Sequence, residues 1–127
     1  MKHHEYELQV AISWYLTCQY NHVLFLSDTI ANLNLTKMQA IRNKKIQKVG
    51  FKTPDLLILE PRNGYSGLFI ELKIDTPFKK DGTIKASTNN HLKGQFESIE
   101  LLKKKGYKAC FAVGFDETKE IIDDYLK

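Results

Sequence analysis

Cysteine is nearly missing from this sequence: Cys18 and Cys110 are its only two, each in an apolar neighbourhood, with no Cys-x-x-Cys and no Cys/His spacing. That scarcity excludes a disulfide framework and a thiolate zinc site, and fits buried free thiols in a reducing compartment. No apolar run is long enough to cross a bilayer and no secretory signal pattern opens the chain, so no membrane association and a cytoplasmic location are expected. Internal repeats, linkers and low-complexity segments are also lacking. Acidic residues are missing from one long interval: none occurs between Asp28 and Asp55, while Lys37, Arg42, Lys44, Lys45, Lys48 and Lys52 all fall there.

What is present describes an ordinary globular chain. Its 127 residues suit one domain spanning 1–127, and 43% hydrophobic with 27% charged residues suits a soluble core. The net charge of +4 is mild, but its distribution is not even. Besides the acid-free interval there are Lys79, Lys80 and Lys85, and then Lys103, Lys104 and Lys105. The first two groups flank the segment discussed next, which favours a nucleic-acid surface over simple solvated faces and puts Arg42, Lys44, Lys45, Lys48 and Lys52 forward as phosphate contacts.

The spacing of apolar residues predicts eight elements. Leu8, Ala11, Ile12 and Tyr15, broadened by Val10 and Trp14, mark a helix from Glu5 to about Thr17. The run Val23 to Leu26 reads as a buried strand. Thr36 and Gln39 stand at capping-box spacing at the start of a basic, weakly apolar helix expected from Thr36 to Gln47 and closed by Gly50. A polar loop from Ile74 to Asn90 precedes a helix marked by Leu92, Phe96, Ile99 and Leu102, with Gln95 at the edge of its stripe. His91 opens that helix and reads as a surface residue, with a metal or substrate contact as the alternative. A strand from Tyr107 to Gly114 and a helix through Leu126 complete the chain, and Trp14, Phe25 and Phe111 are expected in the core.

Between these elements lie two apolar runs, Pro54-Asp55-Leu-Leu-Ile-Leu and Gly67-Leu-Phe-Ile-Glu71-Leu72-Lys73, joined by a turn at Pro61-Arg62-Asn63-Gly64. They predict a β-hairpin. Facing residues in such a pair sum to a constant, so an odd loop centred on Asn63 sets Asp55 opposite Glu71, with Lys73 on the same face. Two adjacent carboxylates raise each other's proton affinity unless a cation lies between them. A hard divalent ion with oxygen ligands, Mg²⁺ for preference, answers that requirement. The alternative is an ion-pair network closing a strand end, which would leave one more acid than base beside an apolar hairpin.

Pro54-Asp55 followed by Glu71-Leu72-Lys73 resembles the signature of the PD-(D/E)XK nuclease superfamily, and the small stand-alone VRR-NUC domains of phages and bacteria in particular. Glu5-Tyr-Glu7-Leu-Gln9, the basic stretch before Gly-Phe-Lys-Thr-Pro54-Asp55, Gln95, and Gly106-Tyr-Lys-Ala-Cys-Phe-Ala-Val-Gly114 extend the resemblance over nearly the whole chain. It implies an α/β restriction-endonuclease-like core, α-β-β-β-α-β, with a mixed central sheet flanked by helices, an inserted basic helix and an appended C-terminal helix. It further implies a Mg²⁺-dependent endonuclease, with Mn²⁺ able to substitute, that acts on Holliday-junction-like or otherwise branched DNA as a homodimer. Asp55, Glu71 and the Leu72 backbone carbonyl would hold the metal, Lys73 would position or deprotonate the attacking water, and Gln95 would orient water or phosphate. The resemblance also supplies a first-helix acid, Glu5 rather than Glu7 because of its spacing to Gln9. A non-catalytic nucleic-acid-binding module that kept the fold is the competing expectation, and a sequence-specific restriction-type enzyme is disfavoured by the short chain. The long loop after Lys73 departs from the family pattern and leaves the substrate least determined.

Overall fold

A computed structural model describes residues 2–29, 33–85 and 90–127. In chain order the elements are α1 (Lys2–Gln19), β1 (Phe25–Ser27), α2 (Lys37–Ile46), β2 (Leu56–Ile58), β3 (Leu68–Lys73), α3 (Asn90–Lys104), β4 (Lys108–Val113) and α4 (Gly114–Leu126). The four strands form one mixed sheet in the order β1-β2-β3-β4, antiparallel as far as β3 and parallel between β3 and β4. This is the expected α-β-β-β-α-β core with α2 inserted and α4 appended.

Strand alternation sorts the apolar residues into two cores. Leu56, Ile58, Leu68, Ile70 and Leu72 face α1 and α4, where Leu8, Ile12, Leu16, Ile122 and Tyr125 meet them. Phe69, Ala109 and Phe111 face the other way, toward Leu92, Ile99 and Leu102 of α3. Full burial of each such Leu or Ile contributes about 1.5–3 kcal/mol. Phe78 and Ile84 pair in an isolated bridge and pack into the second core, Phe78 edge-on to Phe111, so the 74–85 part of the polar loop is tied to the sheet. The expected continuation of that loop through 86–89 lies outside the described residues.

Three sequence expectations are corrected, the first at Cys18, expected to be a buried thiol and in fact exposed. Trp14 is 68% exposed, and Val10 and Ala11 are also exposed, because only the Leu8, Ile12, Leu16 row of α1 meets the sheet. The Val23 to Leu26 run is not a buried strand: β1 is an edge, Val23 faces the first core, and Leu24 and Leu26 are left open because α3 packs over β4 and does not reach across to β1. Phe25, by contrast, packs against the first core and Phe111 lies in the second. Helix α2 keeps its expected span, with Thr36 as N-cap and Gln47 as an extended C-cap, and Gly50 beyond it takes a left-handed φ of 79° in the turn that follows. Its start is as expected, with Gln39 N–H donating to Thr36 Oγ1 at 3.2 Å and Thr36 N–H donating to Gln39 Oε1 at 2.9 Å. None of its residues is buried, so it adds nothing to either core.

The hairpin reaches its predicted register by a different route. Asn63 and Gly64 form an even, two-residue turn, both at positive φ, closed by reciprocal backbone bonds between Arg62 and Tyr65. Beyond it, Leu59-Glu60-Pro61 on one side faces only Ser66-Gly67 on the other, so the first strand carries one extra residue. That residue shifts the pairing to Ile58↔Leu68, Leu57↔Phe69 and Leu56↔Ile70. One step further along the same register, Asp55 stands against Glu71.

Candidate active site

Asp55, Glu71 and Lys73 lie at the open end of the hairpin on the face turned toward α3, because all three share strand parity with Phe69 and Phe111. Glu71 is only 4% exposed. The Asp55 carboxylate reaches across to accept the backbone N–H of Leu72 at 2.9 Å, and the Asp55 carbonyl accepts the N–H of Asp28 at 2.9 Å. Asp55 is thus fixed by both neighbouring strands.

Lys73 turns to α3, where its Nζ donates to Gln95 Oε1 at 2.7 Å. Among the described residues no ion pair within 4 Å joins Lys73 to either carboxylate, which removes the closed ion-pair network as an account of the three charges. Burial pushes the Glu71 carboxyl up to about 10, and the adjacent Asp55 acts in the same direction; Lys73 opposes them without prevailing. An acid held protonated here is an acid short of positive charge.

These groups line a cleft of about 340 Å³. Glu5 reaches it from the first turn of α1, whereas Glu7 is exposed and does not line it. Gln9 Nε2 donates to the carbonyl of Asp28 at 2.9 Å. Gln95, 7% exposed on α3, and the backbone of Leu72 complete the floor. Among the described residues no three His, Cys, Asp or Glu side chains converge on one point. The oxygen donors available to a hard divalent ion are therefore Asp55, Glu71 and the Leu72 carbonyl, with Glu5 at the rim, and the charge deficit at Glu71 is the feature such an ion would correct.

The basic residues separate into two groups. Lys44, Lys48 and Lys52, joined by Lys104 of α3, line a groove of about 960 Å³ that runs into the cleft past Thr53 and His91, whereas Arg42 and Lys45 line neither space. Lys52 is positioned most closely: its N–H donates to Ser98 Oγ at 2.7 Å, and its side chain crosses α3 over Gly94. A Cβ at Gly94 would lie 2.5 Å from Lys52 Cε.

His91 is exposed, as expected of a surface residue, and also lines the cleft. Its Nε2 stands 3.1 Å from Gln95 Nε2, and partial burial together with Lys52 and Lys73 pushes its imidazole below the ordinary histidine range. The signal was available, since His91 and Gln95 are four apart and share a helix face. Asp28 also lines the cleft, and nothing in its sequence context marks it.

The topology and the position of the acids together define an α/β fold of the restriction-endonuclease-like class. No family model matches the sequence and no curated protein matches it. Among solved structures, one described as a VRR_NUC domain protein superposes with a TM-score of 0.61 at 25% identity, covering 96% of this chain and 87% of that one. The chain has a VRR-NUC-like nuclease fold.

Proposed function

We propose that the protein is a metal-dependent DNA endonuclease that selects branched or otherwise structured DNA. The observation that carries this reading is the pair Asp55 and Glu71, opposed across one hairpin beside Lys73, with Glu71 buried and lacking a compensating cation. Mg²⁺, or Mn²⁺ in its place, would be held by Asp55, Glu71 and the Leu72 carbonyl, and when bound supplies charge neutralisation at the scissile phosphate and a lowered pKa for the attacking water. The rest falls to the chain's own groups. Lys73, held at 2.7 Å by Gln95, orients the water and offsets charge developing on the phosphorane. Gln95 fixes Lys73, and Lys44, Lys48 and Lys52 attract the phosphate backbone along the groove. A lysine-lined groove in a chain of 127 residues, short for base-reading insertions, favours recognition by shape. The VRR_NUC neighbour supports nucleic acid as the substrate class.

A homodimer is part of the proposal. Tyr6, Val10, Trp14 and Leu33 line a separate apolar groove of about 900 Å³ along α1, a surface suited to a second copy. Among the described residues no helix is long and apolar enough to cross a membrane.

The test incubates purified protein with four-way-junction, flap, single-stranded and linear duplex DNA, with Mg²⁺ or Mn²⁺ and then with chelator, beside Lys73→Ala. Metal-dependent cleavage preferring branched substrates, reduced about 10²–10³-fold in the variant, is expected. No cleavage of any substrate, or full activity of Lys73→Ala, overturns the enzyme reading; salt-sensitive binding without cleavage would identify a binding module instead. Sedimentation of the same sample reports the oligomeric state.

A further inference from the structure

We infer that His91 is a positioning residue for the proposed reaction: it holds the Gln95 amide in the one orientation that can fix Lys73. The inference rests on the nuclease reading for its consequence but on hydrogen-bond chemistry for its content. An ammonium has donors and no acceptor, so Lys73 Nζ at 2.7 Å must face the amide oxygen of Gln95. The amide nitrogen, which can only donate, then faces His91 Nε2 at 3.1 Å. That ring nitrogen must therefore be the unprotonated one, with the proton on Nδ1.

The geometry makes the acceptor on His91 necessary. Gln95 is 7% exposed, so water does not readily replace a lost partner, and an amide turned by 180° would set its nitrogen against the Lys73 ammonium, donor against donor. Lys73 itself stands two residues beyond Glu71 on the same strand face, so the direction in which its ammonium points is set from α3 by Gln95 and, through Gln95, by His91. His91 is exposed at the first turn of α3 and belongs to neither core, so its replacement leaves the packing intact. Its side-chain hydrogen bond is to Gln95.

Three variants separate this role from others. His91→Gln offers a carbonyl oxygen about where Nε2 stands, His91→Leu offers nothing, and His91→Lys offers only donors. On the branched substrate, kcat is expected to stay within about twofold for His91→Gln and to fall at least tenfold for His91→Leu and His91→Lys, with KM unchanged in His91→Gln and His91→Leu. In metal-free protein, NMR should show the Gln95 side-chain amide resonances shifted, and the Lys73 ammonium protons exchanging faster, in His91→Leu and His91→Lys but not in His91→Gln. Unchanged kcat in His91→Leu, an equal loss in His91→Gln and His91→Leu, or a rise in KM alone would each overturn the positioning role. The Lys73→Ala control keeps the two proposals apart. Full activity there overturns the nuclease reading, while an inactive Lys73→Ala beside a fully active His91→Leu overturns only the role of His91.

Discussion

Two acids in this molecule are removed from bulk water on opposite sides of the sheet, and they are treated in opposite ways. Asp123 on α4 opposes its own burial with partners: the hydroxyls of Tyr15 and Tyr20 both donate to Oδ1 at 2.6 Å, and Lys119 Nζ donates to Oδ2 at 3.1 Å. Although burial works against it, these bonds bring its carboxyl down to about 2. Glu71 on β3 is buried beside a second carboxylate while the nearest ammonium is committed to Gln95, and its carboxyl is pushed up to about 10. A fold able to surround Asp123 with three donors gives Glu71 a second carboxylate as its neighbour in the cleft. Asp123 ties α4 to α1, and Glu71 lines the cleft where the proposed metal would bind.

The largest expected break in the comparison is in activity. Glu71→Gln keeps shape and volume but removes a charge from the proposed metal site, and cleavage of branched DNA should fall by about 10²-fold or more. Asp123→Asn should cleave at the wild-type rate at 25 °C, because Asp123 lies across the sheet from the cleft. Parallel rate measurements with Mg²⁺ decide it: equal losses in the two variants would mean that both acids act only through folding.

Stability should reverse that order. A carboxyl whose folded pKa is raised imposes no cost below the unfolded value near 4.3; as pH rises above it, the unfolded chain ionises first and the folded state loses ground until the folded pKa is reached. Between about pH 5 and 9, metal-free wild type should therefore be less stable than Glu71→Gln, by about 1–3 kcal/mol, with the difference closing toward pH 4. Mg²⁺ should raise the melting temperature of the wild type and leave the variant unmoved. Thermal melts across that pH range, with and without Mg²⁺, check both statements.

Asp123 carries the opposite sign. Its folded pKa is depressed, so its contribution is fully present above the unfolded value near 3.9 and is lost as pH falls toward about 2. Asp123→Asn should cost about 1–3 kcal/mol at neutral pH, and urea unfolding should show wild type and variant converging near pH 2. A constant difference across pH would show that packing of Tyr15 and Tyr20 outweighs their bonds to the carboxylate.

Most of this contrast could be read from the chain in one direction only. The pairing of Asp55 with Glu71 was legible because strand alternation and the turn signal around Asn63 are local rules, and it survived an even turn because an extra residue before Arg62 restored the register. The basic character of α2 was legible from its composition. Trp14 and Leu26 were not, since an apolar residue is buried only if another element covers it: Trp14 lies off the α1 row that meets the sheet, and the short reach of α3 leaves Leu26 open. His91 and Lys52 depend on where one side chain passes over another element, which spacing alone does not specify. A basic helix has several faces, and of the α2 residues put forward Lys44 lines the groove with the downstream Lys48 and Lys52, while Arg42 and Lys45 do not line it.

Lys52 gives the smallest and sharpest of the expected effects, because one substitution should move stability and function in opposite directions. Gly94 lies inside α3, where glycine costs about 0.5–1 kcal/mol relative to alanine. The obstacle to alanine is the far end of a lysine, whose Cε and Cδ would stand 2.5 and 2.9 Å from the new Cβ, and a flexible side chain can move aside. Gly94→Ala should then raise helix stability by up to about 1 kcal/mol while displacing Lys52 from the wall shared by the groove and the cleft. The loss of one aligned phosphate contact should weaken DNA affinity and reduce the slope of log affinity against log salt by about one, whatever the base sequence. Binding titrations at several salt concentrations in Ca²⁺ or chelator, set beside a thermal melt, read both quantities. A stabilised variant with an unchanged salt slope would mean that Lys52 serves only to pack the 51–55 segment on α3, leaving Lys44 and Lys48 to carry the phosphate contacts of the groove.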